Sequence, residues 1–304
     1  MTGSPLPTVP LTFVYIVQPP SYDYMAALLL ASIREHFPSA VRCIGYCPEE
    51  DFDQIHPGVV KAHEMLGAEI RPMKTEGMWD TPYPHGNKII AAMQPRDSAF
   101  SAFVDSDVLF LRKNSVEAIA RPGHVSCSVA ASMLWGDQSV WDQIYGVFDM
   151  PVPEERVRLM RRSPGEVVPY FSSGLVIFPE RSENGPLFAE VWYETAREID
   201  QKTDLPARRP YLDQMSLPVA IKRAGLNWNH LPEEQHFILG GKLRGKPFPK
   251  DAGIYTAHYR NTKILRETGL LHEARRMLRK QTGVSYIGRL APAEGAAADE
   301  PADA

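Results

Sequence analysis

The sequence predicts an α/β fold with a mainly parallel central sheet flanked by helices, and three observations carry that prediction. Short runs rich in β-branched and aromatic residues alternate with segments whose apolar side chains recur at helical spacing. Strands joined through helices need crossover connections, which leave neighbouring strands parallel. No repeat and no Gly/Ser-rich linker divides the 304 residues, so one continuous domain is expected. Its bounds are placed at residues 11–290. An N-terminal segment, 1–10, precedes it. A tail, 291–304, follows it, made of Ala, Pro, Gly, Asp and Glu, without a large apolar side chain to bury and therefore expected to be disordered.

The elements follow in order. Leu11 to Val17 is a strand buried on both faces, ended by the turn signal Gln18-Pro-Pro-Ser-Tyr-Asp. From Tyr24, the positions Met25, Leu28, Leu29, Ser32 and Ile33 mark a helix that Phe37-Pro38 closes. A strand over Val41 to Tyr46, a helix over Val59 to Leu66 and a short strand over Ala68 to Pro72 repeat the alternation. A Pro-rich loop from Gly77 to Gly86 leads to a helix over Asn87 to Met93 and a strand over Ala99 to Val104. Further strands are expected at Val125 to Ala131 and Gly174 to Phe178. Helices are expected at Pro186 to Ile199, at Leu212 to Ala224 with a kink at Pro218, and at Lys263 to Lys280.

Composition narrows the function. With 44% hydrophobic and 23% charged residues the chain can bury a sizeable core, and a net charge of −4 supplies no basic field to gather nucleic acid. Cys43, Cys47 and Cys127 form an odd set without CxxC spacing and read as reduced core residues. The start of the chain lacks the positive region of a signal peptide, and Leu11 to Val17 is far shorter than the ~20 residues of a bilayer span. A cytoplasmic protein is expected, with at most peripheral contact at the inner face of a membrane.

The strongest chemical signal is Phe103-Val-Asp-Ser-Asp-Val-Leu-Phe-Leu111, where an apolar strand ends in Asp105 and Asp107 and a second apolar run follows. Residues two apart on a strand point to one side, so both carboxylates can face one cation, and oxygen ligands suit Mg²⁺ or Mn²⁺. A plain acidic turn after a strand is the alternative.

This segment resembles the DxD motif of GT-A glycosyltransferases, particularly the glycogenin-like and bacterial lipopolysaccharide galactosyltransferase-like group. Other segments resemble that group in the same order. Asn87-Lys88-Ile-Ile is similar to the helix whose lysine faces the donor phosphates, and Tyr170-Phe-Ser-Ser-Gly174 to the strand beneath the donor sugar, which implies roles for Ser173 and Gly174. Tyr211-Leu-Asp-Gln214 is similar to the Asp-Gln motif near the reacting sugar, and Ile254-Tyr-Thr-Ala-His258 to the strand whose His completes the metal site. Two departures stand out. Ser172 replaces the usual Asn, and His258 is followed by Tyr-Arg, while Lys246-Pro-Phe248 lies upstream of it. The resemblance implies a GT-A (Rossmann-like) fold, a nucleotide-sugar donor, most often a UDP-sugar, and retention of configuration.

The residues themselves add to this. A neutral imidazole at His258 suits Mn²⁺, with His85 and His236 as rival ligands. Arg260, two residues on, would share the side of His258 on a strand and meet a phosphate. Lys88 reads equally as a solvated helix cation, and Asp213 as a helix-dipole partner. As catalytic groups, Asp213 and Gln214 would hydrogen-bond donor-sugar hydroxyls and stabilise positive charge developing on the ring. Tyr22 or Tyr24 offers a ring for a nucleotide base or caps the core. The basic and apolar faces of Lys263 to Lys280 suit either packing on the domain or contact with anionic lipid.

The expected function is thus a metal-dependent transfer of a sugar from a nucleotide sugar to a glycan, lipid-linked or protein acceptor. One alternative is a Mg²⁺-dependent phosphatase of the haloacid-dehalogenase type, in which Thr or Val would stand where Leu109 does, on the first strand of the domain. Another is a nucleotide-sugar-binding protein of the same fold without turnover.

Overall fold

The computed structural model describes residues 9–38, 40–133, 136–160, 166–182, 185–205, 208–239, 248 and 252–290. Most of the expected N-terminal segment, the whole expected tail and Lys246-Pro247 lie outside these. The chain runs β1 (Val9–Ile16), α1 (Tyr22–His36), β2 (Arg42–Pro48), α2 (Pro57–Met65), β3 (Glu69–Met73), α3 (Asn87–Met93), β4 (Ser98–Val104), β5 (Val108–Phe110) and α4 (Val116–Ile119). It continues through β6 (His124–Val129), α5 (Val140–Gly146), β7 (Phe171–Pro179), α6 (Phe188–Lys202), α7 (Arg208–Arg223), β8 (Asn227–His230), β9 (Phe237–Ile238), β10 (Thr256–His258), α8 (Thr262–Glu267) and α9 (Leu270–Thr282).

The seven-stranded sheet has the order β3-β2-β1-β4-β7-β6-β8. It is parallel except for β7, which runs antiparallel to both β4 and β6. Strand alternation divides the core in two. Phe13, Tyr15, Ala102, Val104, Leu175 and Ile177 pack under α1, α2 and α9, whereas Val14, Phe103, Val176 and Phe178 pack under α3, α6 and α7. The three cysteines are free and buried in β2 and β6, as core residues.

Two expectations change, and the second apolar run finds its place. The helix expected over Lys263 to Lys280 is two helices, because Gly269 takes a φ of 78°, a left-handed conformation open to glycine. Non-helical angles in α7 fall at Arg209 and not at Pro218, since Pro210 biases its predecessor out of the helical region. The apolar run after Asp107 is not a continuation of β4. It forms β5, which leaves the large sheet for a three-stranded one of order β5-β10-β9.

In α9 the apolar residues Leu270, Ala274, Met277 and Leu278 are buried in the core shared with α1, so that face is spent on the fold. Arg266 on α8 and Arg275 and Arg279 on α9 are exposed. Among the described residues no helix is long and apolar enough to cross a membrane.

Candidate active site

The junction of the two sheets makes the site. β4 ends at Val104, the Asp105 N–H donates to the Gly174 carbonyl (2.9 Å), and the Val108 N–H donates back to the Asp105 carbonyl (3.1 Å). Residues 105–107 therefore form a turn, which the Ser106 hydroxyl pins by donating to the Ile16 carbonyl (2.5 Å). The two carboxylates converge through this turn and not through a strand pleat, which corrects the geometric reason for pairing them.

β5 then pairs antiparallel with β10, setting Val108 opposite His258, and the Tyr259 N–H donates to the Asp107 carbonyl (2.9 Å). This register delivers the imidazole to the turn. His258 Nε2 lies 3.0 Å from Asp107 Oδ1 and 3.8 Å from Asp105 Oδ2.

On the other flank, α3 carries Lys88 inward. Its Nζ is 3.0 Å from Asp105 Oδ1 and 3.1 Å from Asp213 Oδ2, donates to Ser173 Oγ (3.1 Å), and sits 5.5 Å from the Phe103 ring centre. Asp213, on α7, also accepts from the Ser173 hydroxyl and, at Oδ1, from the Tyr83 hydroxyl (3.0 Å). Gln214 Oε1 accepts from the Tyr170 hydroxyl (3.0 Å).

Tyr22, Lys88, Asp105, Asp107, Ser173, Gly174, Asp213, Gln214, His258 and Arg260 all line one cleft of about 480 Å³. These ten are the site residues expected from the sequence, and besides the acidic pair one of them arrives by another route than expected. Arg260 lies beyond the end of β10 in a left-handed conformation (φ 66°), so strand alternation is not what turns it to the cleft. Tyr22 begins α1 and is exposed at the cleft, while Tyr24, about 200° further round the helix, packs its ring 5.3 Å from that of His56 and does not line the cleft.

The rival histidines divide as well. His85 lines the cleft but is not among the metal-capable group. His236 is fully buried behind His258, rings 5.2 Å apart, with Nε2 3.1 Å from Ser172 Oγ. Sequence reading missed Tyr83 and Gln18. The first stands in the Pro-rich loop just ahead of the Lys88 helix, and the second in the turn after β1. Their positions beside recognised segments were the only signal.

Electrostatics sharpen the division of labour. Burial, reinforced by the Asp107 charge, pushes the Asp105 carboxyl above its usual range despite Lys88. Burial works the same way on Asp107, but the His258 imidazole outweighs it and holds that carboxyl below the usual range. Burial disfavours a charged His258, yet Asp107 more than compensates and the imidazole is raised. Lys88 is raised because Asp105 and Asp213 together outweigh its burial, so it stays a cation. His236 is pushed well below its ordinary value, first by burial and then by His258, and remains neutral.

The residues fit a divalent cation. One ligand atom from each of Asp105, Asp107 and His258 lies within 4.8 Å of the others. Two carboxylates and an imidazole suit Mn²⁺ or Mg²⁺. Gly174 keeps the space clear, since a Cβ there would come 2.9 Å from His258 Nδ1 and 3.0 Å from Asp105 Oδ2.

Residues 13–225 match the family described as the Rhodobacterales glycosyltransferase domain. The chain belongs to that family. It is accordingly a glycosyltransferase, an enzyme class that takes a nucleotide-sugar donor and a glycan-type acceptor. Galactosyltransferase LgtC, solved with donor and acceptor sugar analogues, is similar in fold at 13% identity and a TM-score of 0.50, covering 91% of this chain and 99% of LgtC. An active-site Gln-to-Glu mutant of LgtC is similar at 11% identity and a TM-score of 0.50, covering 85% and 95%. Mouse xyloside xylosyltransferase 1, in its apo form, gives 9% identity and a TM-score of 0.49 over 83% and 98%. No curated protein matches the chain. The fold is GT-A, as the DxD resemblance implied. The phosphatase alternative is not favoured, since the acidic pair follows the fourth strand of a glycosyltransferase-family chain.

Proposed function

We propose that this glycosyltransferase uses a nucleoside-diphosphate sugar, a UDP-sugar in the simplest case, with a Mn²⁺ or Mg²⁺ ion held by Asp105, Asp107 and His258. The observation that carries the reading is the meeting, in one cleft, of this ligand set with a buried lysine and a second acidic station at Asp213. When bound, the cation supplies Lewis acidity that stabilises the negative charge of the departing diphosphate.

The chain's own residues do the rest. Lys88 stands between the acidic pair and Asp213, where its fixed charge faces the region between phosphate and sugar. Arg260 adds a second cation at the cleft for phosphate oxygens. Ser173 and Gly174 form the floor under the sugar. Asp213 and Gln214 face the sugar ring, accept or donate hydrogen bonds at its hydroxyls and favour positive charge developing on it. Tyr22 offers an exposed ring for the base. The acceptor is of the glycan type, free or carried on a lipid or a protein. Because the apolar face of α9 is buried, membrane contact through 263–280 is electrostatic, through the exposed Arg266, Arg275 and Arg279.

A thermal-shift screen of UDP-, GDP- and CMP-sugars with and without Mn²⁺ tests the reading, because a ligand that binds the folded state raises apparent stability by mass action. A UDP-sugar is expected to raise Tm only when Mn²⁺ is present. Equal shifts without metal, or none with any nucleotide sugar, would overturn it.

A further inference from the structure

Tyr83 belongs to no motif recognised in the sequence, lies in a Pro-rich loop and is almost fully buried at 4% exposure. Its hydroxyl makes two contacts with one residue 130 positions away. It donates to Asp213 Oδ1 at 3.0 Å and accepts from the Asp213 backbone N–H at 3.2 Å. Lys88, five residues on, takes the other carboxylate oxygen, Oδ2, at 3.1 Å. One stretch of chain, the end of the loop and the first turn of α3, thus grips both oxygens of one carboxylate. Two donors on two oxygens fix the plane of a carboxylate as well as its position.

The loop is itself held against α6 and α7. The Arg209 guanidinium stacks over the Tyr83 ring (5.3 Å) and donates to the carbonyls of Thr81 (2.9 Å) and Pro82 (3.3 Å), while also pairing with Asp200. Tyr193 donates its hydroxyl to the Met78 carbonyl, and Trp79 packs edge-on against both Tyr83 (5.2 Å) and Tyr193 (5.3 Å). Gly86 allows the close approach, since a Cβ there would fall 2.5 Å from the Tyr83 ring and 2.6 Å from Trp79.

We propose that Tyr83 is a positioning residue for sugar transfer, acting through Asp213: with Lys88 on the other oxygen, it fixes the plane of the carboxylate that faces the donor sugar. The loop from Gly77 to Gly86 is then the support of the sugar-side station. This rests on the reading that Asp213 faces the donor.

Tyr83→Phe removes only the hydroxyl and leaves the ring between Trp79 and Arg209. With UDP-galactose and UDP-glucose as probes and Mn²⁺ present, kcat is expected to fall about 10- to 100-fold, the range for a hydrogen bond to a charged group, with KM for the probe unchanged and Tm lowered by only a few degrees. In an Asp213→Asn background the same substitution should change kcat by less than about threefold, because coupled residues are not additive. A crystal structure of Tyr83→Phe should show the Asp213 carboxylate rotated from its wild-type plane. Unchanged kcat, an equal loss in the Asp213→Asn background, or an unmoved carboxylate each overturns the proposal. If the wild type turns over neither probe, the donor reading is what fails, and the crystal structure still decides whether Tyr83 positions Asp213.

Discussion

The two sides of the cleft both hold buried acids, and they treat them in opposite ways. Asp213, 2% exposed, is surrounded by donors from Lys88, Ser173 and Tyr83, so the protein itself satisfies its charge. Asp105 and Asp107 share one lysine and one imidazole between them, and burial still pushes the Asp105 carboxyl upward. A carboxylate that is already paired acts as a fixed charge; a carboxylate pair left under-compensated is a place for a cation. The same residue type thus does two jobs, separated by the single ammonium of Lys88 that touches both.

Removing a ligand from the under-compensated side should have the largest effect. Asp107→Asn is expected to lower transfer activity by roughly 10²–10³-fold or more, the scale for loss of a preorganised electrostatic group. It should also abolish the Mn²⁺-dependent rise in Tm. Steady-state rates with saturating Mn²⁺ check this, and full activity there would remove the metal reading.

Lys88→Met probes both sides at once. Breaking a buried pair leaves uncompensated charge and costs about 3–5 kcal/mol, so urea unfolding at neutral pH should show a loss of that order. Mn²⁺ should restore part of it, because a bound cation replaces the lysine at Asp105 but not at Asp213. Complete restoration would mean that the two acids are not the separate stations described here.

Gly174→Ala sharpens the metal side alone. Its new methyl would press on His258 and Asp105 at about 3 Å, and overpacking of this kind costs roughly 1–3 kcal/mol. Weaker Mn²⁺ binding by titration calorimetry, with nucleotide-free stability falling only modestly, is the expected result. Unchanged Mn²⁺ affinity would show that the glycine serves the backbone and not the ligand set.

Much of this was legible in the sequence, for identifiable reasons. Leu11–Tyr15 of β1, Ala102–Val104 of β4 and Leu175–Phe178 of β7 are buried on both faces and read as apolar runs, and the acids at the end of β4 stand out against that background. The turn at 105–107 was read only as the alternative to a cation site, because an alternation of two looks the same in a strand as in a short turn; the structure has the turn itself bring the two carboxylates together. His258 could be told from His85 and His236 only through a resemblance, since β10 is three residues long and pairs with a strand far back in the chain. The helix break at Gly269 carried a usable signal, a glycine after Glu-Thr in a basic helical stretch, that periodicity alone passes over. Tyr83 was illegible because its contact with Asp213 spans 130 positions and depends on how a loop without periodicity folds back on α7.

The smallest effect lies in acid, where the two sides should move in opposite directions. Asp200 anchors Arg209 and through it the Tyr83 loop. Burial alone would raise its carboxyl, but hydrogen bonds from Arg209 and Arg208 outweigh that and hold it below the usual range. A carboxyl lowered on folding contributes stability above its unfolded pKa of about 3.9, and that contribution disappears as pH falls through the lower folded value. Asp105 has the reverse sign. Its folded pKa is raised, so the folded state takes up a proton first, and stability recovers as pH falls through that raised value toward the unfolded one. Urea unfolding of the metal-free protein between pH 7 and pH 3 should therefore show a gain in the upper part of the range and a loss at the bottom. Asp200→Asn should remove on the order of 1 kcal/mol of the loss, the scale of a partly exposed ion pair, and leave the gain intact. Asp105→Asn should shrink the gain to the part that the raised His258 imidazole supplies and leave the Asp200 loss in place; a change in the Asp200 loss would mean the two sides are not electrostatically independent.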